Sequence, residues 1–140
     1  MEIKRGGNGL LLTELLIALL FFSLSAAVCL QLFVASHLQN IAAEDLSRAT
    51  IEAQNIAECF KASNGNMELT AELLGVPSSG MQLRIYYDEA WSRVHYGSAF
   101  SSLLTARGLS EGALSAVVTV YDRNNKVMLE FEVAAVGGAS

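Results

Sequence analysis

One proline, Pro77, is all that 140 residues contain, and neither glycine nor proline falls between Leu10 and Ser63. Nothing in that stretch would break or kink a helix. Cysteine is scarce too. Cys29 and Cys59 both fall in predicted helix, where the intervening chain would hold them roughly 45 Å apart, too far to bridge within one straight helix. Each reads as a small buried hydrophobe, with an intermolecular disulfide through Cys59 as the sharper alternative. Positive charge is short: nine Lys and Arg against fourteen Asp and Glu give a formal net charge of −5. The bases are scattered and offer no face for phosphates, so nucleic acid is not expected as the primary partner. Histidine is limited to His37 and His95, neither at the close His, Cys or carboxylate spacing that zinc requires. There is no Gly-rich phosphate loop, and Ser101-Ser102 carries no local sign of an activated nucleophile. The expectation is a non-enzymatic chain without metal or cofactor.

What the chain has in quantity is apolar side chains, 52% of the total, and much of the excess sits in Leu10–Ser36. About 20 apolar helical residues cross a bilayer core, so these 27 span it with some excess, and Glu14 is their only formal charge. Lys4 and Arg5 precede the block and Glu44 and Asp45 follow it. The positive-inside rule then keeps the N-terminus cytoplasmic and exports the rest as a single-pass protein of the cytoplasmic membrane.

Four readings of this segment compete: a simple anchor, a secretory signal, a lipoprotein signal and a prepilin leader. A lipoprotein signal wants a small residue before its cysteine, but Cys29 follows Val28 deep in the apolar block. A secretory signal could be cut after Ser36, with Val34 and Ser36 at the small-residue positions, yet its apolar region would exceed the usual length. It would also tolerate Glu14 poorly. A carboxylate there must be neutralised, paired or shallow, and a plain anchor allows it only as a side chain reaching water at the interface.

Read together, the basic segment with Lys4 and Arg5, then Gly9, an apolar Leu10, Glu14 as the fifth residue from Leu10, and a continuous apolar helix resemble the type IV prepilin signal. The resemblance implies cleavage after Gly9 by a prepilin peptidase, and methylation of the new N-terminus at Leu10. It implies that Glu14 pairs with the N-terminal amine of a neighbouring subunit. It implies as partners other pilin or pseudopilin subunits, a platform protein and an assembly ATPase, and as destination a cell-surface pilus or pseudopilus. A glycine before the cut suits a narrow protease cleft and would break the helix there. Leu10 stands where the family usually has phenylalanine, and no helix-kinking proline lies near Gln31. The first is a swap between apolar residues that the family often tolerates; the missing proline and the lack of an evident disulfide-closed C-terminal loop lean toward a minor pilin or pseudopilin. The fold implied is an α+β lollipop: leader 1–9, membrane or filament-core half-helix 10–36, and exported domain 37–140.

Beyond Ser36, Leu38, Ala42, Leu46, Ala49, Ala53, Ile56 and Phe60 form one apolar stripe, predicting an amphipathic helix over about 37–63 that Asn64-Gly65 stops. Gln39, Glu44, Asp45, Arg48, Glu52, Asn55 and Lys61 are assigned to the solvent side. A short helix is expected over Met67–Leu74 and a hairpin from Gln82–Tyr87 and Trp91–Tyr96. Gly97–Gly112 reads as loop, with a short strand at Leu103-Leu104. Two alternating strands flank Asp122–Asn125. This makes an antiparallel sheet of about four strands over about 81–135, one face covered by the helix stripe. Asp88-Glu89 reads as a turn rather than an acid–base pair. Asp122, Asn124 and Asn125 read as a turn rather than a calcium loop. Tyr86, Tyr87, Trp91, Tyr96 and Phe100 read as core and cross-strand packing, becoming a contact surface if Trp91 and Tyr86 are exposed together.

Overall fold

A stretch free of helix breakers folds as one helix: in the computed structural model, which describes residues 6–110 and 112–136, α1 runs Gly6–Ala62. It begins before Leu10 and passes through Gly9, where a break was expected. A single helical glycine costs only about 1 kcal/mol relative to alanine, nothing crowds Gly9, and its carbonyl accepts the Thr13 hydroxyl at 2.9 Å.

The chain divides into two compact units, one ending at Ala43 and the next beginning at Glu44. In the first, every residue from Leu10 to Ala43 is exposed, including Leu38 and Ala42 of the expected stripe. This part of α1 is long and apolar enough to cross a membrane, and none of its apolar surface is buried within the protein.

In the second unit Ala49, Ala53, Ile56, Ala57 and Phe60 line the buried face of α1, spaced by threes and fours. The helix ends where Asn64 and Gly65 turn left-handed, at φ 52° and 80°. Gly65 is required twice, because an added Cβ would also lie 2.7 Å from Leu114 Cδ1. α2, Met67–Leu74, follows: the Asn66 side chain accepts the Glu68 and Leu69 N–H groups at its start, and Gly75 closes it at φ 67°.

The sheet has five antiparallel strands, β1 Gln82–Tyr87, β2 Arg93–Val94, β3 Phe100–Ser110, β4 Ala113–Tyr121 and β5 Val127–Val136, in the order β2-β1-β3-β4-β5. One row across its core face reads Leu83, Leu104, Val118, Phe131 and the next Ile85, Ser102, Val120, Leu129. These residues and the buried face of α1 share one apolar core, giving an α+β fold in which the second half of the long helix packs on the sheet.

Two expectations are corrected. The segment read as loop, Gly97–Gly112, contains β3, an 11-residue strand central to the sheet. Its alternation is hidden because fully buried Ser102 takes a core-facing position and a bulge interrupts the register between Ala106 and Gly108. The expected Trp91–Tyr96 strand shrinks to Arg93–Val94. Trp91 sits at φ 61°, a turn conformation that cannot continue a strand.

Candidate functional site

Gly9, Leu10 and Glu14 all lie exposed on α1, with Leu10 75% exposed. Four helical positions amount to about 6 Å of rise and about 40° of rotation, so Leu10 and Glu14 share one side of the helix. Lys4 and Arg5 lie outside the described residues. Among the described residues Glu14 has no ion-pair partner. A carboxylate thus stands on a helical segment, Leu10–Ser36, that has no other formal charge, which is costly in hydrocarbon unless another group compensates it. Cys29 is exposed on the same segment, and Cys59 is half-buried with its thiol 4.0 Å from Asn55 Oδ1.

A second polar cluster joins α1 to the sheet within the second unit. The Tyr87 hydroxyl donates to Glu52 Oε2 at 3.2 Å, Arg93 Nη2 approaches the same oxygen at 3.5 Å, and Arg93 Nη1 donates to the Leu74 carbonyl at 2.6 Å. The indole of Trp91 donates to Asp45 Oδ1 at 3.1 Å. Burial pushes the Tyr87 hydroxyl up to about 12, and the Glu52 carboxylate adds to the rise. Ser102 and the Arg93 charge oppose the rise without cancelling it, and Ser102 Oγ lies fully buried nearby with no hydrogen-bond partner among the described residues. A cleft of about 290 Å³ opens alongside, lined in part by Arg84, Tyr86, Arg93 and His95.

Asp45 and Glu52 were assigned to solvent, and here the structure corrects the reading. Seven residues apart, they share the face of Ala49, four from Asp45, and Ile56, four from Glu52. That spacing was the available signal. Charges default to the wet side of a helix unless a partner awaits them, and these partners come from β1, β2 and the turn between them, about 40 residues away.

The two acidic turns have one geometry. In each, the aspartate Oδ1 accepts two backbone N–H groups: Ala90 and Ser92 for Asp88, both at 2.9 Å, and Asn124 and Lys126 for Asp122, both at 2.8 Å. Each has a left-handed fourth residue, Trp91 at φ 61° and Asn125 at φ 59°. Arg123 Nη1 bridges them, 3.0 Å from Glu89 Oε1. Asp122 Oδ1 is thereby engaged in closing its turn. Among the described residues no group of three or more His, Cys, Asp or Glu is placed to hold a metal.

The aromatic set is divided. Trp91 is buried, its ring stacked on Phe100 at 4.3 Å and tilted against Tyr87 at 5.5 Å, whereas Tyr96 is 96% exposed. The condition for a contact surface at Trp91 and Tyr86 together is therefore not met. Comparison of the chain with protein-family models, with curated proteins and with solved structures returned no match.

Proposed function

We propose that this chain is a prepilin-like structural subunit. It is inserted with its N-terminus inside, cut between Gly9 and Leu10, and then carried into a type IV pilus, a secretion pseudopilus or a competence pilus as its helix packs among others. The observation that supports this reading is the order of features along α1: Gly9, Leu10, Glu14, then an almost wholly apolar, exposed surface to Ser36 with no further formal charge.

A helix apolar on every side needs lipid or other helices around it. Each large side chain gains about 1.5–3 kcal/mol when removed from water, and a filament core provides such cover after the membrane has. Cleavage would free an amine at the start of the helix, where the positive end of the macrodipole opposes it. The Glu14 carboxylate of a neighbouring subunit would offset that charge, each relieving the other's burial. On this reading the activity is assembly. Its partners are prepilin peptidase, other pilin or pseudopilin subunits, and, indirectly, the platform protein and ATPase. The absence of a proline near Gln31 and of an evident disulfide-closed C-terminal loop leans toward a minor pilin or pseudopilin.

The test is the N-terminal sequence and intact mass of protein extracted from membranes of a host with its own prepilin peptidase. A terminus at Leu10, with an added methyl group, is expected. An intact Met1 end would instead make α1 a permanent anchor for an extracytoplasmic interaction domain, and a start at His37 would make the product a secreted domain.

A further inference from the structure

The two edges of the sheet are treated differently. At one, β2 pairs with Tyr86 and Tyr87 of β1, and Ser79 bridges Gln82, so little of β1 is left open. At the other, β5 runs ten residues, paired with β4 on one side, and among the described residues no strand pairs with it on the other. Proteins blunt such an edge with lysine, proline or a very short strand. β5 is long and contains neither lysine nor proline.

The side chains along this edge are specific. Leu129 and Phe131 point to the core face but are only partly buried, while Val120 and Val118, opposite them on β4, are fully buried. The core cover therefore thins out over the first half of β5, at Leu129 and Phe131, whereas Val133 and Ala135 farther along are buried. On the other face Glu130 and Glu132 are exposed, with Thr119 donating to Glu130 Oε2 at 3.2 Å. An incoming strand would meet unpaired backbone along its length, apolar surface on one face and two carboxylates on the other.

We propose that the outer edge of β5 is a docking site for a partner protein's strand in which apolar residues alternate with lysine or arginine. The backbone supplies the pairing, the apolar residues complete the cover over Leu129 and Phe131, and the cations meet Glu130 and Glu132. A second copy of this chain fits less well. Two β5 strands paired antiparallel about Phe131 would set Glu130 opposite Glu132 on the same face, and directly opposed like charges destabilise a sheet. The site rests on the sheet alone and is independent of the filament reading.

The experiment uses the full chain in neutral detergent micelles and two fluorescein-labelled peptides of about nine residues, one alternating lysine with valine and one alternating glutamate with valine, a length that spans most of a typical strand. Binding is followed by anisotropy, and its location by amide hydrogen exchange. The lysine peptide should bind and slow exchange in β5, with the glutamate peptide at least tenfold weaker. Glu130→Lys/Glu132→Lys should reverse that preference, and Glu130→Gln/Glu132→Gln should abolish it. The proposal is overturned by no binding, by equal binding of both peptides, or by protection confined to residues away from β5. It is equally overturned if a dimer forms without peptide and protects β5, which would make a second copy the occupant.

Discussion

Trp91 and Asp45 meet across 46 positions of sequence, the indole Nε1–H donating to Asp45 Oδ1 at 3.1 Å. The tryptophan reaches α1 from a left-handed backbone at φ 61°. A bulky residue held there costs on the order of 1–3 kcal/mol, offset by the Phe100 stack and the bond to Asp45. The β1–β2 turn is thereby fixed to the helix by its side chain as well as by its own hydrogen bonds.

Removing the acceptor should leave the buried indole donor unpaired. Asp45→Ala should destabilise the second unit by about 1–2 kcal/mol, and Asp45→Asn, which keeps an acceptor, by less. Trp91 is the only tryptophan in the chain, so urea unfolding followed by its emission reads the effect directly. Equal stabilities for all three proteins would mean that the bond contributes nothing.

The Tyr87 hydroxyl gives a pH dependence whose sign is fixed. With its pKa raised from 10.0 to about 12, the folded state holds the proton longer than the unfolded chain. The associated stability is complete below pH 10 and is lost as pH rises toward about 12, on the order of 2 kcal/mol. Tyr87→Phe should lower stability at neutral pH by about 1 kcal/mol through the lost bond to Glu52. It should also flatten the decline between pH 10 and 12 relative to the parent. Parallel stability curves for the two proteins across that window would refute the shift.

Two left-handed glycines separate conformation from crowding. At Gly75, φ 67°, an added methyl meets open space, so Gly75→Ala should cost about 1 kcal/mol from the backbone alone. At Gly65, φ 80°, the methyl also lies 2.7 Å from Leu114 Cδ1. Gly65→Ala should cost more, about 2–3 kcal/mol, because β4 or the end of α1 must shift. Chemical denaturation of both variants ranks them, and the reverse order would show that Leu114 yields freely.

How much of this was legible follows from where each determinant lies in the chain. α1 could be read because nothing between Leu10 and Ser63 interrupts it, and its end because Asn64-Gly65 is a local stop. α2 carries its own caps, and β1, β4 and β5 carry their own alternation. β3 could not be read, since Ser102 in a core position and the bulge before Gly108 erase the period of two. The turn at Trp91 and the inward bonds of Asp45 and Glu52 depend on residues distant in sequence, and local pattern has no access to them. The N-terminal motif is the opposite case: Gly9, Leu10 and Glu14 are wholly legible as a pattern, while the chemistry proposed for them needs partners outside this chain.

The paired turns allow a comparison between hydrogen bonds that define a loop and an ion pair that decorates it. Asp122→Ala removes the acceptor of two backbone N–H bonds and should cost about 1–2 kcal/mol. Glu89→Gln breaks only the bridge to Arg123, whose partners are 57% and 77% exposed, and should cost less than about 1 kcal/mol. Added salt should weaken the Glu89 effect and leave the Asp122 effect nearly unchanged. Salt sensitivity in the reverse order would place the weight of the loop on the ion pair.

The last expectation bears on the proposed assembly. Glu14 is exposed on α1 with no ion-pair partner among the described residues, so Glu14→Gln should leave the fold of the second unit and the proposed cut after Gly9 intact. If its carboxylate offsets a neighbour's amine, the neutral amide leaves that amine uncompensated in an apolar surrounding, a loss of about 3 kcal/mol or more for a buried pair. Incorporation into sheared filaments, measured against the processed membrane pool, should then fall at least tenfold. Glu14→Asp, which keeps the charge on a shorter side chain, should lose less. If the glutamine variant is processed and incorporated like the parent, the Glu14–amine pairing is wrong, whatever the N-terminal sequence shows about cleavage.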